Sequence, residues 1–217
     1  MCGRFANHIT DLREWADLLF YWPAGASVSY NIAPSLMIPV FTVEGGAAMR
    51  WGLIPNWAEE IPRKFSTYNA RLETVAGKPA YRHAWSHGQR CLIPILGYYE
   101  WRQEGKLKRP YFIRSASGSP LVMTGLWEPG RGELPASCTV ITTEAAPDIA
   151  YIHPRMPLFV GRDRVDDWFG AGLGRVRTML EEWPVPVLDA YPVSTAVNKP
   201  QADGAHLIER SHIQAGG

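Results

Sequence analysis

The chain opens Met1-Cys2-Gly3-Arg4. Once Met1 is removed, Cys2 carries a free α-amine and a thiol on adjacent carbons, a pairing no internal residue can offer. The amine condenses with an aldehyde to an imine, and the thiol can then close a thiazolidine ring. An α-amine titrates at about 7.7–8.0 and a thiol at about 8.5, so roughly a tenth of the amine is neutral at pH 7 without tuning. The same thiol can also serve as a conventional thiolate nucleophile.

Other polar residues sit in apolar surroundings. Glu100 lies in Gly97-Tyr98-Tyr99-Glu100-Trp101; burial among those aromatics would raise its pKa and suit it to acid/base work, whereas an outward position would leave it ordinary. Asn69 and Arg71 are two apart, so in an extended segment they share a face. An amide beside a guanidinium suits a sugar hydroxyl next to a phosphate, although a structural loop uses the same residues. His153 precedes Pro154 and is held extended by it. With Arg155 beside it, it is either a proton shuttle or a structural histidine. His83 and His87 have i, i+4 spacing, but the Glu of H-E-x-x-H is absent, and no metal site is expected. There is no P-loop, no G-x-G-x-x-G and no G-x-S-x-G.

These residues need a scaffold. Leu12, Trp15, Ala16 and Leu19 make His8–Phe20 an amphipathic helix behind Thr10. Strands are expected at 36–43 and 47–53, joined across Glu44-Gly45-Gly46. Further strands are expected at 90–95, 97–102, 111–114, 121–127, 138–143 and 156–160. Short helical turns broken at Gly77 and Pro79 fill 72–87, a short helix 145–152, and two more 163–183. The tail, 191–209, reads as extended. No repeat or long linker interrupts the chain, and 18 prolines divide it into short elements. The expected fold is α+β: one strand-rich domain over 1–217.

With 217 residues the chain can bury a large core. Its net charge is +1, yet the first 114 residues carry 14 basic against 9 acidic side chains and the rest 8 against 12. A basic face is therefore permitted on a near-neutral protein. Three cysteines without a C-x-x-C argue for a reducing compartment. No apolar h-region and no spanning stretch is found, so a cytoplasmic protein is expected.

Taken together the fragments resemble the SRAP family, the SOS-response-associated peptidase or abasic-site-processing proteins. The match runs through Met1-Cys2-Gly3-Arg4-Phe5, Tyr30-Asn31-Ile32-Ala33-Pro34, Trp51-Gly52-Leu53-Ile54-Pro55 with Trp57, and Asn69-Ala70-Arg71-Leu72-Glu73-Thr74. It continues in Arg90-Cys91-Leu92-Ile93-Pro94, Gly97-Tyr98-Tyr99-Glu100-Trp101, Ile152-His153-Pro154-Arg155-Met156-Pro157, Pro192-Val193-Ser194 and Val197-Asn198. The resemblance implies a barrel-like β core with flanking short helices, and a protein that links covalently to abasic sites in single-stranded DNA. It implies Cys2 as crosslinking nucleophile, Glu100 as acid/base, His153 as the group that opens the sugar and assists reversal, and Asn69 as the residue that hydrogen-bonds the sugar or positions the N-terminus. Arg4, Arg71 and Arg155 would hold phosphates, and Trp57 would stack on a base. It further implies autocatalytic loss of Met1, lyase-type cleavage from the imine and a nucleoid-associated state when bound to DNA; no cofactor is expected, and a monomer is, since nothing in the sequence points to an obligate oligomer.

Pro154 and Ala58 depart from the family pattern, which has a polar residue and in some members a second Trp there. Two rivals, and a bland third in which Cys2 is incidental to a soluble α+β domain, compete with this reading. An N-terminal-nucleophile amidotransferase also unmasks a cysteine, but its Asn-Gly pair is missing here. A non-catalytic reader of modified DNA would not need Cys2 at all.

Overall fold

The chain begins with a two-residue strand, β1 (Phe5–Ala6), followed by the hairpin β2 (Met37–Thr42) and β3 (Gly45–Trp51). The hairpin turns at Val43-Glu44, one residue earlier than the glycines suggest, because Thr42 pairs with Gly45. Gly46 serves close approach instead: a Cβ there would stand 3.0 Å from the Phe41 ring and from the Tyr21 carbonyl. The computed structural model describes residues 2–9, 15, 21–63, 66–170, 172 and 183–211. Most of the helix expected over His8–Phe20 lies outside the described residues, as does most of the second half of 163–183.

Next come β4 (Asn69–Arg71), α1 (Pro79–Ser86), β5 (Arg90–Ile95), β6 (Gly97–Glu104) and β7 (Leu107–Ser115). Pro79 starts α1 rather than breaking it, since proline fits a first helical turn. β6 and β7 are longer than their apolar stretches, pairing to Glu104↔Leu107 around Gly105, which takes φ +60°. Their charged ends hide this hairpin from a hydrophobicity pattern, yet Arg109 and Glu104 meet across it at 2.8 Å. Then follow β8 (Leu121–Glu128), β9 (Ser137–Glu144), α2 (Pro147–Ala150), β10 (Arg155–Pro157), α3 (Val165–Gly170) and β11 (Leu188–Pro192).

Two expectations fail. The strand expected over 156–160 pairs with β9 only as far as Pro157; Leu158 then donates to the Ile141 carbonyl of β9 and accepts from the Thr124 N–H of β8, Val160 donates to the Val122 carbonyl, and Phe159 makes a lone bridge to Met123. The tail is not extended beyond β11: it turns into 3-10 segments at Thr195–Asn198 and Ala205–Ile208. Ser194 caps the first by accepting from the Ala196 N–H, and Gly204 at φ +115° sets up the second.

The strands form two sheets. In the larger, β9 pairs with β3, β3 with β2, β2 with β5, β5 with β8 and β8 again with β9, closing a small barrel. The other is antiparallel, ordered β1-β6-β7-β11. Strand-rich α+β architecture with short helices is therefore as expected.

β9 organises the site. On one edge it holds β3 and then, parallel, β4, with Arg71 opposite Thr142. On the other edge it holds β8 and then β10, with Arg155 opposite Glu144. The segments carrying Asn69 and Arg155 thus flank one strand. β1 lies against β6, with Phe5 opposite Tyr98 and Ala6 opposite Gly97. A Cβ at Gly97 would collide with the Phe112 ring and the Ile113 carbonyl, so glycine permits this close strand start.

Period-two alternation divides β6 between two cores. Tyr98 joins the apolar cluster that also holds Cys2, Phe5, Trp51 and Phe159. Tyr99 joins a second cluster with Phe112, Tyr191 and Leu207 beneath the C-terminal turns. A third, with Trp15, Trp85, Trp168 and Trp183, packs the helices on the barrel. Most of the tryptophan is thus core; Trp57 is the exposed one among the described residues.

Candidate active site at the chain start

Cys2 is fully buried. Its carbonyl accepts a hydrogen bond from Asn69 Nδ2 at 2.7 Å, and its Sγ lies 4.0 Å from the Arg4 carbonyl. Asn69 reaches it because Trp51 fixes the preceding residue: Trp51 Nε1 donates to the Tyr68 carbonyl at 2.9 Å while its ring packs 4.8 Å from Phe5. One indole therefore ties β1 to β4. Tyr81 of α1 adds a second tie, donating to the Asn69 carbonyl at 2.9 Å. The Asn69 Oδ1 is buried and receives no hydrogen bond.

Glu100 is only 3% exposed. Burial pushes its carboxyl above the usual range, opposed by the positive amino terminus of the chain and by His153. His153 Nδ1 stands 3.8 Å from Glu100 Oε1, too long for a hydrogen bond but close enough for proton exchange after a small movement. The same Nδ1 faces the Arg155 backbone, accepting from its N–H at 3.0 Å or donating to its carbonyl at 3.1 Å according to the tautomer. Burial and then Glu100 drive the Cys2 thiol far up from its ordinary value. Glu100 and His153 open, with Trp101, Lys108 and Asn198, into a solvent-facing cleft of about 490 Å³. The structure thus gathers Cys2 from the segment before β1, Asn69 from β4, Glu100 from β6 and His153 from the segment before β10. No three metal-ligating side chains cluster among the described residues.

The cations are placed differently. Arg4 turns its guanidinium to Asn31 Oδ1 at 2.8 Å and the Val197 carbonyl at 3.1 Å. Asn31 in turn donates to the Lys199 and Ala202 carbonyls, so it clasps the chain start to the C-terminal turns. Arg155 forks onto Glu73 at 2.7 and 3.0 Å and donates to the Thr142 carbonyl at 2.7 Å. Arg71 is exposed on β4. Trp57 is 56% exposed and donates to the Pro79 carbonyl at the start of α1, near the helix that braces Asn69 but outside the buried cluster. The sequence reading missed the organising roles of Asn31, Trp51 and Glu73. The signal for Asn31 was present, as a polar residue inside Tyr30-Asn31-Ile32.

The sequence profile described as SOS response associated peptidase (SRAP) matches residues 1–200. The chain belongs to the SRAP family. Among its relatives, the abasic site processing protein YoaM of Bacillus subtilis is 33% identical, over 96% of this chain and 98% of its own. The abasic site processing protein HMCES of Gallus gallus is 34% identical, over 71% of this chain and 54% of its own length. A crystal structure of a Bordetella bronchiseptica protein matches with a TM-score of 0.76 at 28% identity, covering 89% of this chain and all of that one. One from Bacteroides thetaiotaomicron matches at 0.82 and 23% identity, over 97% and 100%, and speaks to the SRAP fold alone.

Proposed function

We propose that the protein captures abasic sites in single-stranded DNA by forming a thiazolidine through Cys2 once Met1 has been removed. The observation that carries this reading is the seat of Cys2: its carbonyl is anchored by Asn69 while Glu100 and His153 stand beside it at the mouth of a cleft.

In the first step the neutral Cys2 amine attacks the ring-opened sugar aldehyde. A proton passes from nitrogen to oxygen, giving a carbinolamine. Glu100, whose protonated form burial favours, then protonates the departing hydroxyl, so water leaves and a protonated imine remains. Finally the Cys2 thiol returns a proton to Glu100, and its sulfur bonds to the imine carbon. Atoms balance, and Glu100 ends as it began. His153, at 3.8 Å, fits the proton transfer that opens the sugar hemiacetal. The unpaired Asn69 Oδ1 is an acceptor for the mature amine or for a sugar hydroxyl.

Exposed Arg71 is the cation best placed to meet a phosphate. Arg4 and Arg155 serve by shaping the site as much as by charge, since their guanidinium groups are engaged. Trp57 offers a flat apolar face to a neighbouring base, a contact worth about 1–3 kcal/mol where it forms.

The test is incubation of protein, shown by mass spectrometry to lack Met1, with a single-stranded oligonucleotide carrying one abasic site. A band resistant to denaturing electrophoresis is expected, absent with Cys2→Ala. An equal band from Cys2→Ala, or none from the processed wild type, overturns the reading.

A further inference from the structure

Buried tyrosines of this protein find partners for their hydroxyls. Tyr99 donates to the Tyr30 carbonyl at 2.7 Å, Tyr191 to the Ile208 carbonyl at 2.9 Å and Tyr81 to the Asn69 carbonyl at 2.9 Å. Tyr98 does not: it is fully buried, and its hydroxyl has no hydrogen-bond partner. A buried hydroxyl without a partner is uncommon and marks either a defect or a place where a partner arrives. Phenylalanine would fill the same apolar space without that penalty.

The surroundings say which. On β6, Tyr98 and Glu100 project from the same face. Tyr98 pairs with Phe5, three residues after Cys2, and shares an apolar cluster with Cys2. The two ionisable groups that act electrostatically on its hydroxyl are Cys2 and Glu100. Burial, followed by those two, drives the phenol well above its ordinary value, so it remains an O–H donor throughout any chemistry at Cys2.

We infer that Tyr98 is a positioning residue for ring closure, its hydroxyl donating to the Cys2 sulfur while that atom carries negative charge. The inference rests on the crosslinking reaction proposed above. Ring closure is the step that needs such a donor. The Cys2 thiol gives its proton to the Glu100 carboxylate left by dehydration. The sulfur lone pair then forms the S–C bond as the C=N π pair moves to nitrogen. Between those events a thiolate sits in a buried pocket that raises its energy, beside a carboxyl that has just become neutral. A fixed O–H donor stabilises that anion and has little to offer the earlier attack by nitrogen.

The prediction therefore separates two chemical steps. Processed wild type, Tyr98→Phe and Tyr99→Phe are each mixed with the abasic oligonucleotide, with and without borohydride. Borohydride reduces the imine to a permanent amine link, whereas the thiazolidine survives denaturation untreated. Tyr98→Phe should keep the borohydride-trapped rate within about twofold and slow the untreated adduct about 10- to 100-fold, the span for one hydrogen bond to a charged atom. Tyr99→Phe should leave the ratio of the two rates as in wild type. An unchanged ratio in Tyr98→Phe, or an equal fall in both rates, overturns the inference while leaving the crosslinking reading standing. Wild type that yields neither adduct overturns both.

Discussion

Among the described residues two glutamates are buried beside a histidine, and the two pairs differ in ways that separate structure from chemistry. Glu128, at the end of β8, is met by His83 Nδ1 of α1 at 2.9 Å, a full hydrogen bond. The His83 ring is stacked on His87 with centroids 4.1 Å apart. That pair ties a helix to the barrel. Glu100 is met by His153 at 3.8 Å and opens with it into a cleft, while two neighbours of Cys2, Asn69 and Tyr98, keep a buried Oδ1 and a buried hydroxyl with no hydrogen bond. A finished polar cluster has nowhere to put another ligand. Unmatched atoms leave room for one, and here they belong to Asn69 and Tyr98, the neighbours of Cys2.

The same contrast holds among the cysteines. Cys91 and Cys138 are as buried as Cys2, and burial pushes all three thiols upward. What sets Cys2 apart is its position at the chain start and the titratable groups around it. Burial alone does not make a nucleophile.

The sharpest way to break the comparison is to neutralise each glutamate in turn. Glu100→Gln should slow crosslinking by about 10²–10⁴-fold, the usual worth of a positioned acid/base group, with DNA affinity little changed. Glu128→Gln should leave the crosslinking rate within about twofold. Gel-based time courses under single-turnover conditions read both, and equal losses in the two variants would erase the distinction.

Stability should run the other way. Glu128→Ala strips His83 of its partner and leaves a cavity at the α1–β8 contact, so a loss of about 1–3 kcal/mol is expected. In a chain of this size that corresponds to roughly 2–4 °C in melting temperature for each kcal/mol. Thermal or urea unfolding of Glu128→Ala beside Glu100→Gln checks it; a larger loss in Glu100→Gln would mean that the Glu100 pair is the structural one.

How far the sequence reveals this depends on where the information is stored. Cys2, Asn69, Glu100 and His153 are legible as polar residues within apolar or extended stretches, and alternation along Gly97-Tyr98-Tyr99-Glu100 is enough to place Tyr98 and Glu100 on one face. Barrel closure is not legible, because the β9–β3 and β4–β9 pairings are parallel contacts between distant segments. The engagement of Arg155 with Glu73 is equally hidden, since those residues are 82 positions apart. Without that contact Arg155 reads as a free phosphate-binding cation. The C-terminal turns are legible in part, since Pro200 and Asp203-Gly204 interrupt any extended run and Ser194 and Gly204 supply a cap and a positive φ that a strand does not need.

The smallest expected effect is the dependence of folding stability on pH, and it bears on the same pair. Glu100 keeps its proton in the folded chain above the pH at which an unfolded glutamate, titrating at about 4.3, has lost it. Within that window the native state binds more protons than the unfolded state, so this residue's contribution is fully present below about 4.3 and is lost as pH rises through the raised native value. Gln cannot titrate. The stability of Glu100→Gln relative to wild type should therefore grow as pH climbs from about 4, then level once Glu100 is ionised in the native protein. Comparing the two proteins by urea unfolding across that range cancels every titration they share. A gap that does not change with pH would mean that the amino terminus and His153 offset burial completely, and that Glu100 enters the reaction as a carboxylate rather than as the acid that drives water from the carbinolamine.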